Sequence, residues 1–380
     1  MAKNGYKIID CDLHIMEPWD LWLRYIDPKF KADAPIGSRE FLVDSHLIHD
    51  GKLISKLPKL QTTEQGHVRQ MADSFGRTKL FEEYDERGWG PDVQIEAMDR
   101  EGIDLAVLFP TRGLYAHAKI YKDNDLAAAI SRAYNDWLAE FCSFRPDRLF
   151  GAALVPAQNV EAAVHEVRRA KQELGFKAVF IRPNPVLDRN WHEAVYDPLW
   201  AECEKQGLVV GFHEANPCAL PVAVADRFVL RDEYTWNNEH VASHPIEMMY
   251  AVLCMINGGV LERHPSLRTA FLEANCSWVP YWLWRMDEHW EKMVPKYRTK
   301  LTPSEHFRRQ CAVSIEADEE TGRYAIDWLK GERIMFSTDF PHRDTHFPKT
   351  VDTLLAQGFA DADAKRKILW NTPAAFYGLG

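Results

Sequence analysis

The first residues that could do chemistry lie in the stretch 8–18, close to the N-terminus. Asp12 and His14 are two positions apart, and Glu17 follows three residues later. Alternate side chains of an extended strand share a face, so Asp10, Asp12 and His14 are expected to project together. Carboxylates and imidazoles on one face are typical ligands of a divalent metal ion. Because Asp-x-His is a short and common pattern, the prediction of a metal site depends on partners further along the chain.

Such partners follow two apolar runs much later in the sequence. His213 comes directly after the run 208–212, and Asp339 and His342 lie just beyond the run 334–337. We expect His213 to be a ligand and Asp339 to be a ligand or a base. His342 is a further candidate ligand, as is the glutamate in the first stretch. A ligand set of carboxylates and imidazoles without paired thiolates suits zinc, manganese or iron.

Three other residues, Arg182, Glu273 and His244, have candidate roles at the same place. Arg182 follows an apolar run and could hold a substrate carboxylate through two hydrogen bonds, or could form a salt bridge with a nearby acid. Glu273 could orient an imidazole. His244 is expected in the pocket and His240 at the surface, because Pro245 is more typical of a helix start than of a helix interior.

Eight apolar runs, each followed by a predicted helix, organise the chain. The predicted strands are the first stretch and residues 103–109, 149–155, 176–181, 208–212, 267–272, 311–315 and 334–337. Continuous apolar runs are typical of parallel strands that are covered on both sides. The first strand has no Gly-rich turn after it, which argues against an open doubly wound sheet. We therefore predict an α/β fold, a single (β/α)₈ TIM barrel over residues 1–380, with its chemistry at the C-terminal ends of the strands.

Two long segments interrupt this alternation. Residues 28–90 follow the first predicted strand and residues 216–244 follow the fifth. Both are too long for ordinary connections, and segments of this length are usually functional. We expect them to form caps over the mouth of the barrel.

Composition limits the possible partners and the location of the protein. The 380 residues include 46 Lys and Arg against 56 Asp and Glu, a net charge of −10, which argues against nucleic acids and anionic membranes as partners. The seven cysteines include no C-x-x-C pair, and no apolar stretch has the length of a membrane span, so a cytoplasmic location is expected. Thirteen tryptophans favour a lined pocket or a subunit interface.

Several motifs together resemble one family. They are residues 10–18 (DCDLHIMEP), 145–149 (RPDRL), 258–265 (GGVLERHP), 337–342 (STDFPH) and 376–379 (FYGL). Nearly the whole chain resembles the amidohydrolase-related (amidohydrolase 2) family, near its aminocarboxymuconate-semialdehyde and resorcylate-type decarboxylases. The resemblance implies a metal on Asp12, His14, His213 and Asp339. Asp12 stands where many relatives have the first histidine of a His-x-His pair, as an acid does in the resorcylate-type decarboxylases.

This resemblance leaves the reaction open between several alternatives. The enzyme could hydrolyse or decarboxylate a small organic acid, with Arg182 holding the acid group and Asp339 or His213 moving a proton. Glu17, His244 and His342 are similar to residues of a two-metal subgroup, so an iron-containing oxygenase resembling 2-aminoisobutyrate hydroxylase is a second alternative, with one or two metals per chain. A third is a catalytically silent barrel paired with an active homologue, although the retained acids and histidines argue against it. We expect a homo-oligomer or a hetero-oligomer with a homologous subunit.

Overall fold

Eight parallel strands form a barrel around which the rest of the chain is arranged. The computed structural model describes residues 3–37, 47–53, 79–119, 121, 123–214, 233–295, 299–342 and 345–380. The barrel strands are β1 (Ile9–His14), β5 (Leu105–Phe109), β6 (Leu149–Leu154), β7 (Ala178–Ile181), β8 (Val209–His213), β9 (Arg268–Leu272), β10 (Cys311–Ile315) and β11 (Ile334–Phe336). Neighbours in this order pair in parallel register.

The first strand and the segment after the last strand meet and close the barrel. The backbone N–H of His14 donates to the carbonyl oxygen of Phe340 at 2.8 Å, and the N–H of Asp339 donates to that of Asp12 at 3.2 Å. The predicted TIM barrel is thereby confirmed. The predicted strands all exist, with ends that differ by a few residues, because each is an apolar run buried on both faces.

Helices surround the strands. The α-helices are Leu21–Tyr25, Lys79–Glu86, Pro91–Glu101, Gly113–Ala118, Asn124–Ser143, Val160–Gln172, Asp197–Gln206, Glu233–Met255, Val260–Arg263, Val279–Lys292, Pro303–Gln310, Gly322–Leu329, Thr350–Ala356, Ala362–Arg366 and Thr372–Tyr377. Shorter 3₁₀ segments cover Pro28–Asp33 and Ala194–Tyr196, and a π-helical turn covers Lys367–Asn371. None of the helices that the structure describes is long and apolar enough to cross a membrane.

One glycine shows how the barrel interior supports the residues at its C-terminal end. A Cβ on Gly211 would lie 2.7 Å from the ring of Phe109, so only glycine leaves room for that ring in the interior. The same ring stacks near the imidazole of His213, with centroids 6.1 Å apart. The apolar filling of the barrel therefore supports His213 from below.

The first insertion contains regular structure among its described residues. The short strands β2 (Ile36–Gly37), β3 (Leu47–His49) and β4 (Lys52–Leu53) form an antiparallel sheet. Gly37 donates its N–H to the Trp19 carbonyl at 2.7 Å, and a Cβ on Gly37 would lie 1.5 Å from the Arg112 guanidinium. The small sheet thus packs against a residue that follows β5. Residues 38–46 and 54–78 of this insertion lie outside the described residues.

The predicted start of a helix at Pro245 is wrong. The helix Glu233–Met255 continues through this proline, and the rest of the second insertion, residues 216–232, lies outside the described part. A proline inside a helix forfeits one backbone hydrogen bond. Met248, Val252 and Met255 are fully buried against the barrel, and this packing offsets the loss.

Candidate metal centre

Two imidazoles face each other at the ends of β1 and β8. The Nε2 atoms of His14 and His213 lie 3.0 Å apart, and both side chains are completely buried. The Nδ1 atom of His14 lies 2.8 Å from the carbonyl oxygen of Pro110, and that of His213 lies 2.6 Å from the carbonyl oxygen of Glu214. Carbonyl oxygens only accept hydrogen bonds, so each Nδ1 carries the proton. In the neutral rings both Nε2 atoms therefore point lone pairs at the same place.

Two carboxylates converge on the same point. Asp12 places Oδ1 3.5 Å from Nε2 of His14 and Oδ2 3.4 Å from Nε2 of His213. Asp339 places Oδ1 3.3 Å from Nε2 of His14. Neither oxygen of the buried Asp12 has a hydrogen-bond partner among the described residues. Burial opposes ionisation of Asp12, but the neighbouring His213 and His14 outweigh it and lower the pKa of this carboxyl.

Glu273 extends the cluster on the side of His213. Its Oε2 lies 3.2 Å from Nε2 of His213 and 3.5 Å from Nε2 of His244. Burial opposes its ionisation, yet His244 and His213 hold the pKa of the Glu273 carboxyl well below its usual value. Glu273 thus contacts Nε2 of both imidazoles, whereas Nδ1 of His213 is held by the backbone, and its role in orienting an imidazole stays a prediction.

His240 and His244 share one face of the helix Glu233–Met255. Their ring centroids are 4.3 Å apart, and together with Glu273 they form a group with metal-ligand spacing. The prediction of a surface position for His240 is wrong, since the side chain is half-buried. The cause is the uninterrupted helix, which places residues four apart on one face.

His342 lies beside Asp339 on the opposite side. Its Nδ1 is 2.8 Å from Oδ1 of Asp339, and its Nε2 is 3.1 Å from the hydroxyl of Thr111. The rings of His342 and His14 are 4.0 Å apart. Burial, followed by the charge of His14, lowers the pKa of His342 well below its usual value. His14, Asp339 and His342 form a further group with metal-ligand spacing.

Asp10 positions the segment that carries Asp339. One of its oxygens accepts a hydrogen bond from the hydroxyl of Thr338 at 2.5 Å, and the other accepts from the N–H of Thr338 at 3.3 Å and of Asp12 at 3.1 Å. The next residue, Asp339, has a left-handed φ of 56°, which is uncommon for a residue with a side chain. The pattern predicts that Asp10 shares a face with Asp12 and His14, but its role in positioning this segment was not predicted from the sequence.

Glu17 has other partners than a metal in this structure. One of its oxygens accepts from the N–H groups of Thr111 and Arg112, at 3.3 and 2.8 Å, and the other accepts from the N–H of Gly113 at 2.9 Å. Glu17 is absent from the groups with metal-ligand spacing among the described residues. These contacts hold the start of the helix Gly113–Ala118, which the sequence analysis did not predict.

Arg182 lies in an ion pair rather than open to a substrate. Its guanidinium contacts the carboxylate of Glu214 and donates to Asn184 Oδ1 at 3.0 Å, and all three side chains are completely buried. Asn184 also donates to Glu214 at 2.9 Å. Of the two roles predicted for Arg182, the geometry favours the salt bridge over the clamp.

The converging atoms fit a divalent metal ion. The site brings together two imidazole nitrogens whose lone pairs face each other and two anionic carboxylates. Without a cation between them these groups would repel one another. Asp12, His14 and His213 offer one ligand atom each within 4.8 Å of one another, as do His213, Glu273 and Asp339. Nitrogen and oxygen ligands without thiolates suit zinc, manganese or iron.

Comparison with known proteins gives one family and several similar enzymes. A family model described as amidohydrolase matches residues 9–379. The gamma-resorcylate decarboxylase of Rhodococcus jostii is 30% identical over 265 residues, which cover 66% of this chain and 77% of that protein. The 2-amino-3-carboxymuconate-6-semialdehyde decarboxylase of Dictyostelium discoideum is 29% identical over 269 residues, which cover 69% and 70%.

A solved structure shows the same fold. It is a dihydroxybenzoic acid decarboxylase from a Polaromonas species with bound manganese and the inhibitor 2-nitroresorcinol. It is similar to this chain with a TM-score of 0.67 and 21% identity, over 98% of this chain and 97% of that one.

Proposed function

The chain belongs to the amidohydrolase family, and from that premise we propose that it is a metal-dependent decarboxylase of a small aromatic acid. The family match confirms the resemblance predicted from the motifs. The curated relatives named above are decarboxylases, so the chain is an enzyme and the carboxy-lyase half of the prediction is supported. The observation that carries the proposal is the convergence of Asp12, His14, His213 and Asp339 on one buried point.

These four residues would hold the metal. Manganese is the first choice, because the similar decarboxylase structure contains it and because imidazole with carboxylate suits Mn²⁺. A divalent ion bound there supplies Lewis-acid stabilisation for negative charge that develops on the oxygens of the substrate. The carbonyl oxygens of Pro110 and Glu214 accept from Nδ1 of His14 and His213 and fix both rings, so that each Nε2 would be free to bind the ion.

Decarboxylation needs a proton at the carbon that loses CO₂. We assign its delivery to Asp339, whose carboxylate lies 2.8 Å from Nδ1 of His342 and can exchange a proton with that imidazole. His244 is a second proton carrier in this proposal, because its Nε2 lies 3.5 Å from Oε2 of Glu273, a carboxylate with which it can exchange a proton. Arg182 positions Glu214 next to His213 and does not contact the substrate in this proposal.

Hydrolysis and a silent barrel have less support. The curated relatives are decarboxylases, and no feature of the described residues favours attack by water over loss of CO₂. A silent subunit has no need of two carboxylates and two imidazoles kept in ligand geometry inside the protein, where unpaired charges are costly.

A two-metal enzyme is the second candidate function. It is favoured by the group His240, His244 and Glu273, which adjoins the first site through the contact of Glu273 with His213. A second ion there, iron in particular, would supply redox chemistry of the oxygenase type. In this version His240 and Glu273, instead of the predicted Glu17, would be ligands of the second metal.

Exposed aromatic side chains favour an oligomer. Tyr281 and Trp284 on the helix Val279–Lys292 are 58% and 56% exposed, and Tyr250 on the adjoining helix is 47% exposed. Large exposed aromatic residues are enriched at interfaces. We propose that this face contacts another subunit, and light scattering of wild type and Trp284→Glu tests it: the variant should dissociate, and an unchanged molar mass would reject the interface.

Metal content and product analysis test the function. The purified protein is stripped with a chelator, reloaded with Mn²⁺, and incubated with benzoate, 2-hydroxybenzoate and the dihydroxybenzoates. We expect one metal per chain and release of CO₂ with the matching phenol from at least one hydroxylated acid. Two metals per chain with O₂ uptake would favour the second candidate instead, and a protein that binds no metal would reject both.

A further inference from the structure

His117 is a buried imidazole that the proposed chemistry does not use. It lies in the helix Gly113–Ala118 and is 6% exposed. Neither ring nitrogen has a hydrogen-bond partner among the described residues. A buried polar group without a partner is costly, so the imidazole of His117 requires a partner that the described residues do not supply.

The helix that carries His117 begins at the metal centre. The Glu17 carboxylate holds the N–H groups of residues 111–113, and the hydroxyl of Thr111 contacts His342. His117 follows Gly113 by four residues, which is about 6 Å along a helix axis. The imidazole is therefore held one turn away from the candidate ligands, on a helix that is anchored to them.

A single phenyl ring contacts both this imidazole and a candidate ligand. The centroid of the Phe180 ring on β7 is 5.1 Å from that of His117 and 6.3 Å from that of His213. The interplanar angles are 72° and 60°, so both contacts are T-shaped. Phe180 pairs in register with Gly211, the residue whose missing side chain leaves room for the interior Phe109. Phe180 thus lies beside both the imidazole of His117 and that of the candidate ligand His213, and its apolar ring can pack against the face or edge of another aromatic ring.

The surroundings keep His117 uncharged. Burial, followed by the positive charge of Arg182, lowers the pKa of His117 to about 3. A neutral imidazole offers one donor and one acceptor. A hydroxyl group can pair with either nitrogen, because it can donate to the acceptor or accept from the N–H, whereas a carboxylate can only accept from the N–H.

We propose that His117 is a specificity-determining residue that hydrogen-bonds a hydroxyl group on the substrate ring, on the side of the ring away from the metal. This inference rests on the proposed function and adds the substituent that the site selects. The substrate class is an aromatic acid whose carboxylate end meets the metal centre and whose hydroxyl meets His117. Phe180 lies along the ring between these two ends.

Binding of defined probes tests the role of His117 without relying on turnover. Calorimetry of the Mn²⁺-loaded protein compares 2-hydroxybenzoate with the 2,3-, 2,4-, 2,5- and 2,6-dihydroxy isomers. In the wild type, at least one isomer should bind about tenfold tighter than 2-hydroxybenzoate, the effect of one buried hydrogen bond. His117→Phe should abolish that preference and leave the affinity for 2-hydroxybenzoate within about twofold. His117→Gln, which keeps a donor and an acceptor, should retain part of it.

The control is His165→Phe, on an exposed position of the helix Val160–Gln172, which should leave every affinity unchanged. An equal loss of affinity for all five acids in His117→Phe would overturn the inference about His117 but not the proposed function. A preference for a dihydroxy isomer that survives in this variant would do the same. Complete loss of the preference in His117→Gln as well, with native circular dichroism in both variants, would show that the hydrogen bond is not its source and would also overturn the inference. If the loaded wild type binds none of the acids, the proposed function fails and the inference fails with it.

Discussion

The backbone N–H of Asp339 donates to the carbonyl oxygen of Asp12 at 3.2 Å, which joins the last strand of the barrel to the first at the metal centre. The contact that closes the barrel therefore also brings the two candidate carboxylate ligands together. A metal bound between them would strengthen this junction, so metal affinity and the stability of the barrel are expected to be coupled.

Replacing His14 by Ala should remove the metal. His14 is within 3.5 Å of three other candidate ligands, and its loss leaves the site without one of its two facing nitrogens. We expect metal content, measured by mass spectrometry, to fall at least tenfold. Saturating Mn²⁺ at one hundred times its Kd should stabilise the wild type by about 2.7 kcal/mol and the variant not at all. His165→Ala is the control, and full metal in His14→Ala would show that the imidazole is only structural.

Glu17→Gln distinguishes a helix anchor from a metal ligand. Both carboxylate oxygens accept backbone hydrogen bonds, and the amide would turn a donor toward one of those N–H groups. Urea unfolding should show a loss of about 1–3 kcal/mol, while the metal content stays unchanged. Glu101→Gln is the matched control, because buried Glu101 holds the N–H groups of Thr350 and Val351 in the same way. A variant of Glu17 that keeps its stability but loses metal would contradict the anchor.

Arg182→Met should destabilise the protein strongly. It leaves the completely buried Glu214 carboxylate without its ion-pair partner, which costs about 3–5 kcal/mol in comparable buried pairs. Arg168→Met is the control, since Arg168 is 45% exposed in its pair with Glu202 and should cost less than about 1 kcal/mol. The two free energies of unfolding come from urea titrations. An Arg182 variant with unchanged stability and a raised KM would instead identify a substrate clamp.

The pKa of His117 predicts a pH dependence of stability. Its folded pKa of about 3 lies below the usual 6.5. As the pH falls below 6.5, the unfolded chain therefore binds a proton that the folded protein does not, and the folded state loses stability. Relative to His117→Phe, the wild type should lose about 2 kcal/mol between pH 7 and pH 5. Urea titrations of the metal-free proteins at both pH values measure this difference. A difference that does not change with pH would show that His117 titrates normally in the folded state.

Much of the barrel could be predicted from the sequence because its strands are continuous apolar runs with polar residues at their ends. That rule places His14, His213 and Asp339 at strand ends, where the structure brings them together. It works because parallel strands of a barrel share one C-terminal edge, so residues far apart in sequence meet there. Asp10 could have been included on the same reasoning, since it shares a strand face with Asp12.

The remaining features depend on contacts that the sequence pattern does not contain. Glu17 accepts hydrogen bonds from three N–H groups at the start of a helix that the pattern of apolar residues does not predict. His240 reaches the cluster only because a helix continues through Pro245, where local preference favours a boundary. His117 is paired with Phe180 by the packing of a short helix on the barrel. In each case tertiary packing outweighs the local preference.

Metal-dependent loss of CO₂ from an aromatic acid is tested most directly by the product that forms in D₂O. The Mn²⁺-loaded protein is incubated with the hydroxybenzoate that it binds most tightly, and the phenol is analysed by NMR and mass spectrometry. We expect one equivalent of CO₂ and a phenol with a single deuterium at the carbon that carried the carboxylate. Both should be lost after chelation and in His14→Ala. Recovery of the intact acid from the loaded wild type, with hydrolysis of its amide or ester in its place, would contradict the account.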